Sequence, residues 1–246
     1  MITKNEAANI EACLQSVSFA DQLVVLDSGS LDGTVAAAQK MGAQVSQSLD
    51  WQGFGVQKNR ALNLANGEWI LSVDADERLS SELRAEIVST LENPEFDVYN
   101  FPRRSSYCGQ YMNHSGWYPD RVTRLFRRGS AAFSTDIIHE KLISTLPVGK
   151  LRADILHESF PDLEAVLNKV NRYSTAGAEL LFSTQKKASL GKAVSRGLWA
   201  FFRTYILRLG FLDGKMGLVL AISNAEGTYY RYLKLWLMAR DNRPSE

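Results

Sequence analysis

Three carboxylates, Asp74, Asp76 and Glu77, stand within four residues, directly after the apolar run Trp69-Ile70-Leu71-Ser72-Val73. Such a run predicts a buried strand that delivers Asp74 and Asp76 to its C-terminal edge. Carboxylates two residues apart at a strand end can reach one hard divalent cation or one ribose diphosphate. Sites of this type use few protein carboxylates and let substrate phosphates complete the metal shell. The competing reading is a solvated acidic turn. A second chemical stretch lies at residues 103–128, where Arg103, Arg104, Arg121, Arg124, Arg127 and Arg128 are interleaved with Tyr107, Tyr111, Trp117 and Tyr118. Guanidinium forks bind phosphate and rings pack on sugar faces, so this mixture suits a sugar or phosphorylated acceptor. Its plain alternative is a surface hairpin with solvated arginines.

The elements that would position these groups alternate along the chain. Ala7, Ile10, Leu14 and Val17 keep helical spacing, and Gln22 to Asp27 reads as a buried strand ending in a carboxylate. The turn from Ser28 to Gly33 leads to a helix over Thr34–Met41, with Asp32 as its cap, and a strand restarts at Gly42–Val45. After the Trp51–Gly55 loop, Gln57–Ala65 is helical, with Lys58 and Arg60 early enough to face anionic ligand groups. Ser80 caps a helix running to about Glu92, and 97–104 forms a strand. This β-α alternation predicts an α/β, mostly parallel sheet covered by helices. Ligands of such sheets sit outside the C-terminal strand edges, where Asp27, Asp74 and Asp76 would all lie.

Composition bounds the rest. The chain has 246 residues, 45% of them apolar and 22% charged, with a net charge of +1. Those are globular values without a bulk field toward nucleic acid. Cys13 and Cys108 are isolated and the sequence shows no signal peptide, which fits a reducing cytoplasm. No window offers the roughly 18 uncharged apolar residues that span a bilayer. Lys186 to Lys215, however, holds seven basic residues and one acid among Leu198, Trp199, Phe201, Phe202, Tyr205, Ile206, Leu207 and Leu209. A basic, aromatic-rich helix of this kind suits in-plane binding to an anionic leaflet; a helical lid or dimer face is the alternative. The expected division is a domain at 1–160 and a helical region at 161–246.

Four segments, in order, carry a resemblance: Thr3-Lys4-Asn5-Glu6, Val24 to Thr34, Gln57-Lys58-Asn59-Arg60 and Val73 to Glu77. Together they resemble the family-2 inverting glycosyltransferases of the GT-A fold. Arg124-Leu125-Phe126-Arg127-Arg128 and Ile138-His139-Glu140-Lys141-Leu142 are similar to the branch containing lipopolysaccharide inner-core β-1,4-glucosyltransferases. The family usually has several apolar residues before its Thr-Lys-Asn-Glu segment; here Met1 and Ile2 alone precede it, so a truncated first strand is expected.

The resemblance implies transfer of a sugar, glucose in this branch, from a UDP-sugar to a heptose or similar glycolipid acceptor, with inversion. Asp27 would hold uracil or ribose, with Thr3, Glu6 and Arg60 around the nucleoside. Asp74 would face the ribose, and Asp76 would bind Mg²⁺ or Mn²⁺ bridging the phosphates. Glu140 is the expected base on the acceptor hydroxyl, with His139 orienting it. His157 is a secondary metal candidate, Glu77 would support the metal shell or neutralise Arg78, and Trp117, Tyr118, Arg121 and Arg124 would meet the acceptor. A cytoplasmic protein peripheral on the inner face of the inner membrane follows. Another glycolipid or a polyprenyl-linked acceptor is the near alternative. A haloacid-dehalogenase-like phosphatase also uses a strand-end pair of aspartates but wants Thr or Val after it, where Glu77-Arg78 stands. A noncatalytic nucleotide-sugar-binding protein would keep Asp27 and Asp74 without turnover.

Overall fold

The structure is a computed structural model that describes residues 1–135 and 140–241. His139 lies outside them. The chain forms two compact units, one of residues 1–103 and 120–157, the other of residues 104–119 and 158–246. Residues 104–119, expected in the first domain, belong instead to the helical unit.

The first unit opens with β1 (Ile2–Thr3), α1 (Ile10–Ser16), β2 (Val24–Asp27), α2 (Thr34–Lys40) and β3 (Gln44–Gln47). These strands pair in parallel in the order β1-β2-β3, with Thr3 opposite Asp27 and Asp27 opposite Gln47. The helix expected from Ala7 starts at Ile10, because the Glu6 carbonyl accepts the N–H groups of Asn9 and Ile10 in a preceding turn. Asp32 accepts the backbone N–H groups of Thr34 and Ala7 and so ties the start of α2 to the N-terminal segment, while the N-cap position itself is Gly33.

The chain continues through α3 (Phe54–Asn63), β4 (Trp69–Leu71), β5 (Glu77–Leu79) and α4 (Ser81–Glu92). The Ser80 hydroxyl accepts the N–H of Leu83, the expected helix cap. Next come β6 (Val98–Tyr107), β7 (Gln110–Tyr111), β8 (Asp120–Arg127), β9 (Ala132–Phe133), β10 (Leu142–Ile143), β11 (Val148–Lys150) and β12 (Ile155–Phe160). The α/β class holds, with parallel order concentrated in β1–β3. In the larger sheet β4 pairs antiparallel with β8, β8 with β6, and β12 with β5, while β11 runs parallel to β6. The core of this unit joins Ile10, Leu14, Val25, Leu83, Ile87, Phe101, Leu125 and Ile155, each at most 2% exposed. Burying such side chains contributes about 1.5–3 kcal/mol apiece, which holds α1 and α4 against the strands.

The second unit is mainly α5 (Leu163–Ser183), α6 (Leu190–Phe202) and α7 (Gly214–Asp241). A π-helical turn at Arg203–Leu207 and a 3₁₀ turn at Gly210–Asp213 join the last two. Val166 and Leu220 pack with Tyr107 and Met112 in its core. No helix among the described residues is long and apolar enough to cross a membrane.

Candidate active site

The segment after β4 is held at its base by the N–H of Ser72, which donates to the Arg124 carbonyl. Asp74 then turns into a pocket of charge. Lys58 Nζ lies 3.0 Å from its Oδ1 and Arg124 Nη2 lies 2.5 Å from its Oδ2. Arg124 also reaches Glu77 Oε1 at 3.3 Å, Arg103 reaches the same oxygen at 3.4 Å, and Glu77 Oε2 accepts the Asp74 N–H at 2.9 Å. On the other side Lys58 Nζ sits 3.1 Å from Glu140 Oε1. Positive and negative groups therefore alternate from Glu140 through Lys58, Asp74 and Arg124 to Glu77. Removed from water, such charges are tolerable only because each has opposite-sign partners and hydrogen bonds.

The pKa directions follow from this order. Burial opposes ionisation of Asp74, but Arg124 and Lys58 outweigh it and hold the carboxyl well below the usual range. Burial pushes Glu77 up, against the pull of Arg124. Burial also opposes the charge on Arg124, which Asp74 and Glu77 more than restore.

Local sequence explains how Glu140 comes to Lys58. A Cβ at Gly55 would stand 1.7 Å from the Ser134 carbonyl oxygen and 3.4 Å from the Glu140 Cβ. Glycine at that position lets the first turn of α3 lie directly against this segment. Asn59, one residue after Lys58, pins the same segment by donating to the Phe133 carbonyl and accepting its N–H.

Asp76 points to a different partner. His157, opposite Glu77 in the β5–β12 register, places Nε2 3.2 Å from Asp76 Oδ2. A carboxylate oxygen and an imidazole nitrogen are donors that Mg²⁺ or Mn²⁺ accepts, manganese more readily for the nitrogen. No group of three or more candidate ligands occurs among the described residues. The pair thus fits a metal whose remaining positions are filled by ligand oxygens and water, and does not fit an all-protein cage.

Asp27 is 0% exposed, and its carboxylate accepts the N–H groups of Gly29 and Ser30, the Ser30 hydroxyl and Gln47 Nε2. Burial opposes its charge, but these bonds keep its pKa low. The same bonds fix the turn that follows β2. Arg60 is bound to Ser48, Gln57 and Asp50, so it fixes the 48–50 loop. Thr3 is 5% exposed, and its Oγ1 has no hydrogen-bond partner among the described residues. Glu6 accepts the Asn9 side-chain amide; burial raises its pKa, and the fields of Asp76, Asp32 and Asp74 add to the rise.

Of the residues expected to meet the acceptor, Arg121 and Arg124 lie on β8 of the first unit. Arg121 is fastened to Asn100 and to the Leu151 carbonyl, and Arg124 is committed to Asp74 and Glu77. Trp117 and Tyr118 belong to the other unit, where Trp117 packs on Tyr107 and Phe160 and Arg104 lies over the Tyr118 ring. The residue that sequence reasoning undervalued is Lys58. Its helix places it beside two carboxylates at 7% exposure, whereas its early place on the helix pointed only to anionic ligand groups.

Residues 1–144 match the family model described as Glycosyl transferase family 2. The chain belongs to that family. This glycosyltransferase is 32% identical over 248 residues to an uncharacterized glycosyltransferase of Rickettsia prowazekii, spanning 96% of this chain and 85% of the relative. It is 29% identical over 256 residues to the lipopolysaccharide core biosynthesis glycosyltransferase LpsC of Rhizobium meliloti, across 98% and 94% of the two chains. A crystal structure of S. aureus TarS 1-349 in complex with UDP-GlcNAc is similar with a TM-score of 0.50 at 15% identity, covering 100% of this chain and 91% of that one. That likeness speaks for the fold alone.

A cavity of about 590 Å³ in the glycosyltransferase's first unit is lined by apolar core residues such as Leu14, Phe19, Trp69 and Leu91, and of the charged cluster by Lys58 alone. It belongs to the core between β2, β4 and α4. Glu140, Lys58, Asp74 and the Asp76–His157 pair instead bring together a carboxylate open to solvent at 22%, fixed positive charge and a carboxylate–imidazole contact.

Proposed function

We propose that this glycosyltransferase moves a sugar, glucose in the first instance, with inversion from a UDP-sugar to a hydroxyl of a lipopolysaccharide inner-core heptose or similar glycolipid. The observation that carries the reading is Lys58 Nζ standing 3.0 Å from Asp74 and 3.1 Å from Glu140. One ammonium thereby fixes the first aspartate of the Asp74-Ala75-Asp76 motif and the candidate base against the same helix. In-line displacement needs both a base on the acceptor hydroxyl and relief of charge on the departing diphosphate. Glu140 takes the hydroxyl proton, Lys58 holds that carboxylate in place, and Asp74 faces the ribose. Asp76 and His157 are the residues that would hold Mg²⁺ or Mn²⁺, whose charge would offset that on UDP. The likeness to LpsC supports a lipopolysaccharide-core acceptor.

The test is UDP release from UDP-glucose with a heptose-containing lipid acceptor, in Mn²⁺ or in EDTA. Release should need both acceptor and metal. His157→Ala should weaken Mn²⁺-dependent UDP binding by about 10–100-fold whether His157 is a ligand or orients Asp76. Phosphate release from a monoester without any nucleotide sugar would overturn the reading.

A lipid acceptor requires the enzyme at a membrane surface on the cytoplasmic side. Leu198, Trp199, Phe202, Leu207, Leu209 and Leu212 are each 43% or more exposed, and Lys192 and Arg196 lie on α6 with the first three of them. That pattern supports in-plane docking on an anionic leaflet. Replacing Leu198 and Trp199 together by Glu should lower binding to phosphatidylglycerol vesicles by at least about tenfold, since each contributes on the order of 1.5–3 kcal/mol when buried. Vesicle binding that is unchanged in flotation would exclude this surface.

A further inference from the structure

The helical unit contains a second polar cleft, of about 370 Å³, walled by α5, α6 with its π-helical turn, α7 and the Ser115–Trp117 loop. Arg203, Arg208 and Arg231 line it, and no acidic residue does. Among the described residues, none of these three guanidinium groups has a hydrogen bond from its side chain or an ion pair. In the first unit Arg60, Arg103, Arg121, Arg124 and Arg127, by comparison, have side-chain partners. Three like charges around one cleft repel one another, so the wall is complementary to an anion. Guanidinium forks match the planar or tetrahedral oxygens of carboxylate and phosphate.

The backbone holds this arrangement deliberately. The π-helical turn at Arg203–Leu207 is a rare conformation that concentrates at functional sites. Leu209, the residue after Arg208, is left-handed at φ 55°, a conformation that costs a leucine free energy. Gly116 is also left-handed, and a Cβ there would come within 2.3 Å of Arg208 Cδ and Nη1, so glycine leaves the space that the arginine occupies. The loop that bears Gly116 is anchored by Asp213, whose carboxylate accepts the N–H groups of Asn113 and His114 and the Ser115 hydroxyl. The Ser115 N–H donates to the Arg208 carbonyl at 2.8 Å. Thr204, Asn224 and Thr228 add hydroxyl and amide groups to the same wall. At about 370 Å³ the cleft falls at the small end of the range of small-molecule sites, which leaves room for polar groups beside an anion.

The geometry points to this cleft as a binding site for a sugar that bears an oxyanion, phosphate or carboxylate. It goes beyond the transfer reading, since every residue in it belongs to the helical unit and none is among Asp74, Asp76 and Glu140. The probe is glucose 6-phosphate, titrated calorimetrically into the full chain without nucleotide, beside glucose, inorganic phosphate and phosphatidylglycerol vesicles. Glucose 6-phosphate should bind more tightly than inorganic phosphate or glucose, and added salt should weaken it. Arg208→Met and Arg231→Met should each lower that affinity about tenfold or more. Arg208→Lys, which keeps charge but loses the fork, should also weaken it, while Arg196→Met outside the cleft should not. No binding, or binding indifferent to Arg208→Met, would overturn the site. Equal affinity for inorganic phosphate would overturn its sugar specificity, and Arg208-dependent binding of vesicles alone would reassign the cleft to a lipid headgroup. None of these readouts needs turnover, so they stand or fall separately from the transfer reaction.

Discussion

Glu140→Gln should leave UDP-sugar affinity within about twofold of the parent enzyme and lower turnover by roughly 10²–10⁴-fold, the range contributed by a positioned general base. The substitution is nearly isosteric. The glutamine side chain retains an oxygen for Lys58 Nζ, and Lys58 keeps Asp74 at 3.0 Å, so what is lost is the capacity to take a proton. The change should cost only about 1 kcal/mol in stability, the worth of one weakened hydrogen bond. Single-turnover transfer measured beside UDP-sugar binding separates the roles. Retention of transfer within tenfold of the parent would move the base elsewhere and leave Glu140 as a structural partner of Lys58. Parallel loss of UDP-sugar binding would equally remove it from the base role, because a base acts on the acceptor after the donor is bound.

What made the site partly legible in the sequence is that strand ends and helix caps are local. The apolar run before Asp27, the Ser80 cap and the acidic stretch after Leu71 each announce themselves within a few residues. The Asp76–His157 pair was within reach because both residues end or follow apolar runs. The partners of Arg124 and Arg121 were not, since on β8 a buried arginine and a solvated one look alike until the partner strand is known. Pairing of Trp69 with Arg127 and of Tyr99 with Leu125 sets which residues of β8 turn inward, and such long-range register leaves no local trace. Asp27 is ambiguous in the sequence for the opposite reason. A carboxylate two residues before a glycine suits both a ligand and an Asx turn, and here the turn's own donors take up its oxygens. Residues 104–119 joined the helical unit through contacts such as Tyr107 with Ser223 and Ser115 with Asp213, which link positions about a hundred residues apart.

Lys58 and Arg124 divide the work of holding Asp74, and the division decides which substitution unfolds the protein. Arg124→Met should destabilise by about 3–5 kcal/mol, the cost of stripping one partner from a buried ion pair. Arg124 is 8% exposed and Glu77 1%, and Arg124 is the cation that both Asp74 and Glu77 touch. The methionine fills much of the stem's volume, so the loss comes from charge and not from a cavity. The pH dependence gives the sign. The folded pKa of Asp74 lies below its unfolded value of about 3.9, so its pairing stabilises the parent above that value and is lost only as pH falls through the depressed one. The folded pKa of Glu77 is raised by burial, so its ionisation costs stability as pH rises through that value. Removing Arg124 takes away the attraction that lowers both. The variant's penalty should therefore be largest at pH 7 and shrink toward pH 5, as the stranded carboxyls take up protons. Urea unfolding of both proteins at the two pH values measures it. A penalty below about 1 kcal/mol at pH 7, or one that grows on acidification, would show that Arg124 is not what keeps these carboxylates ionised.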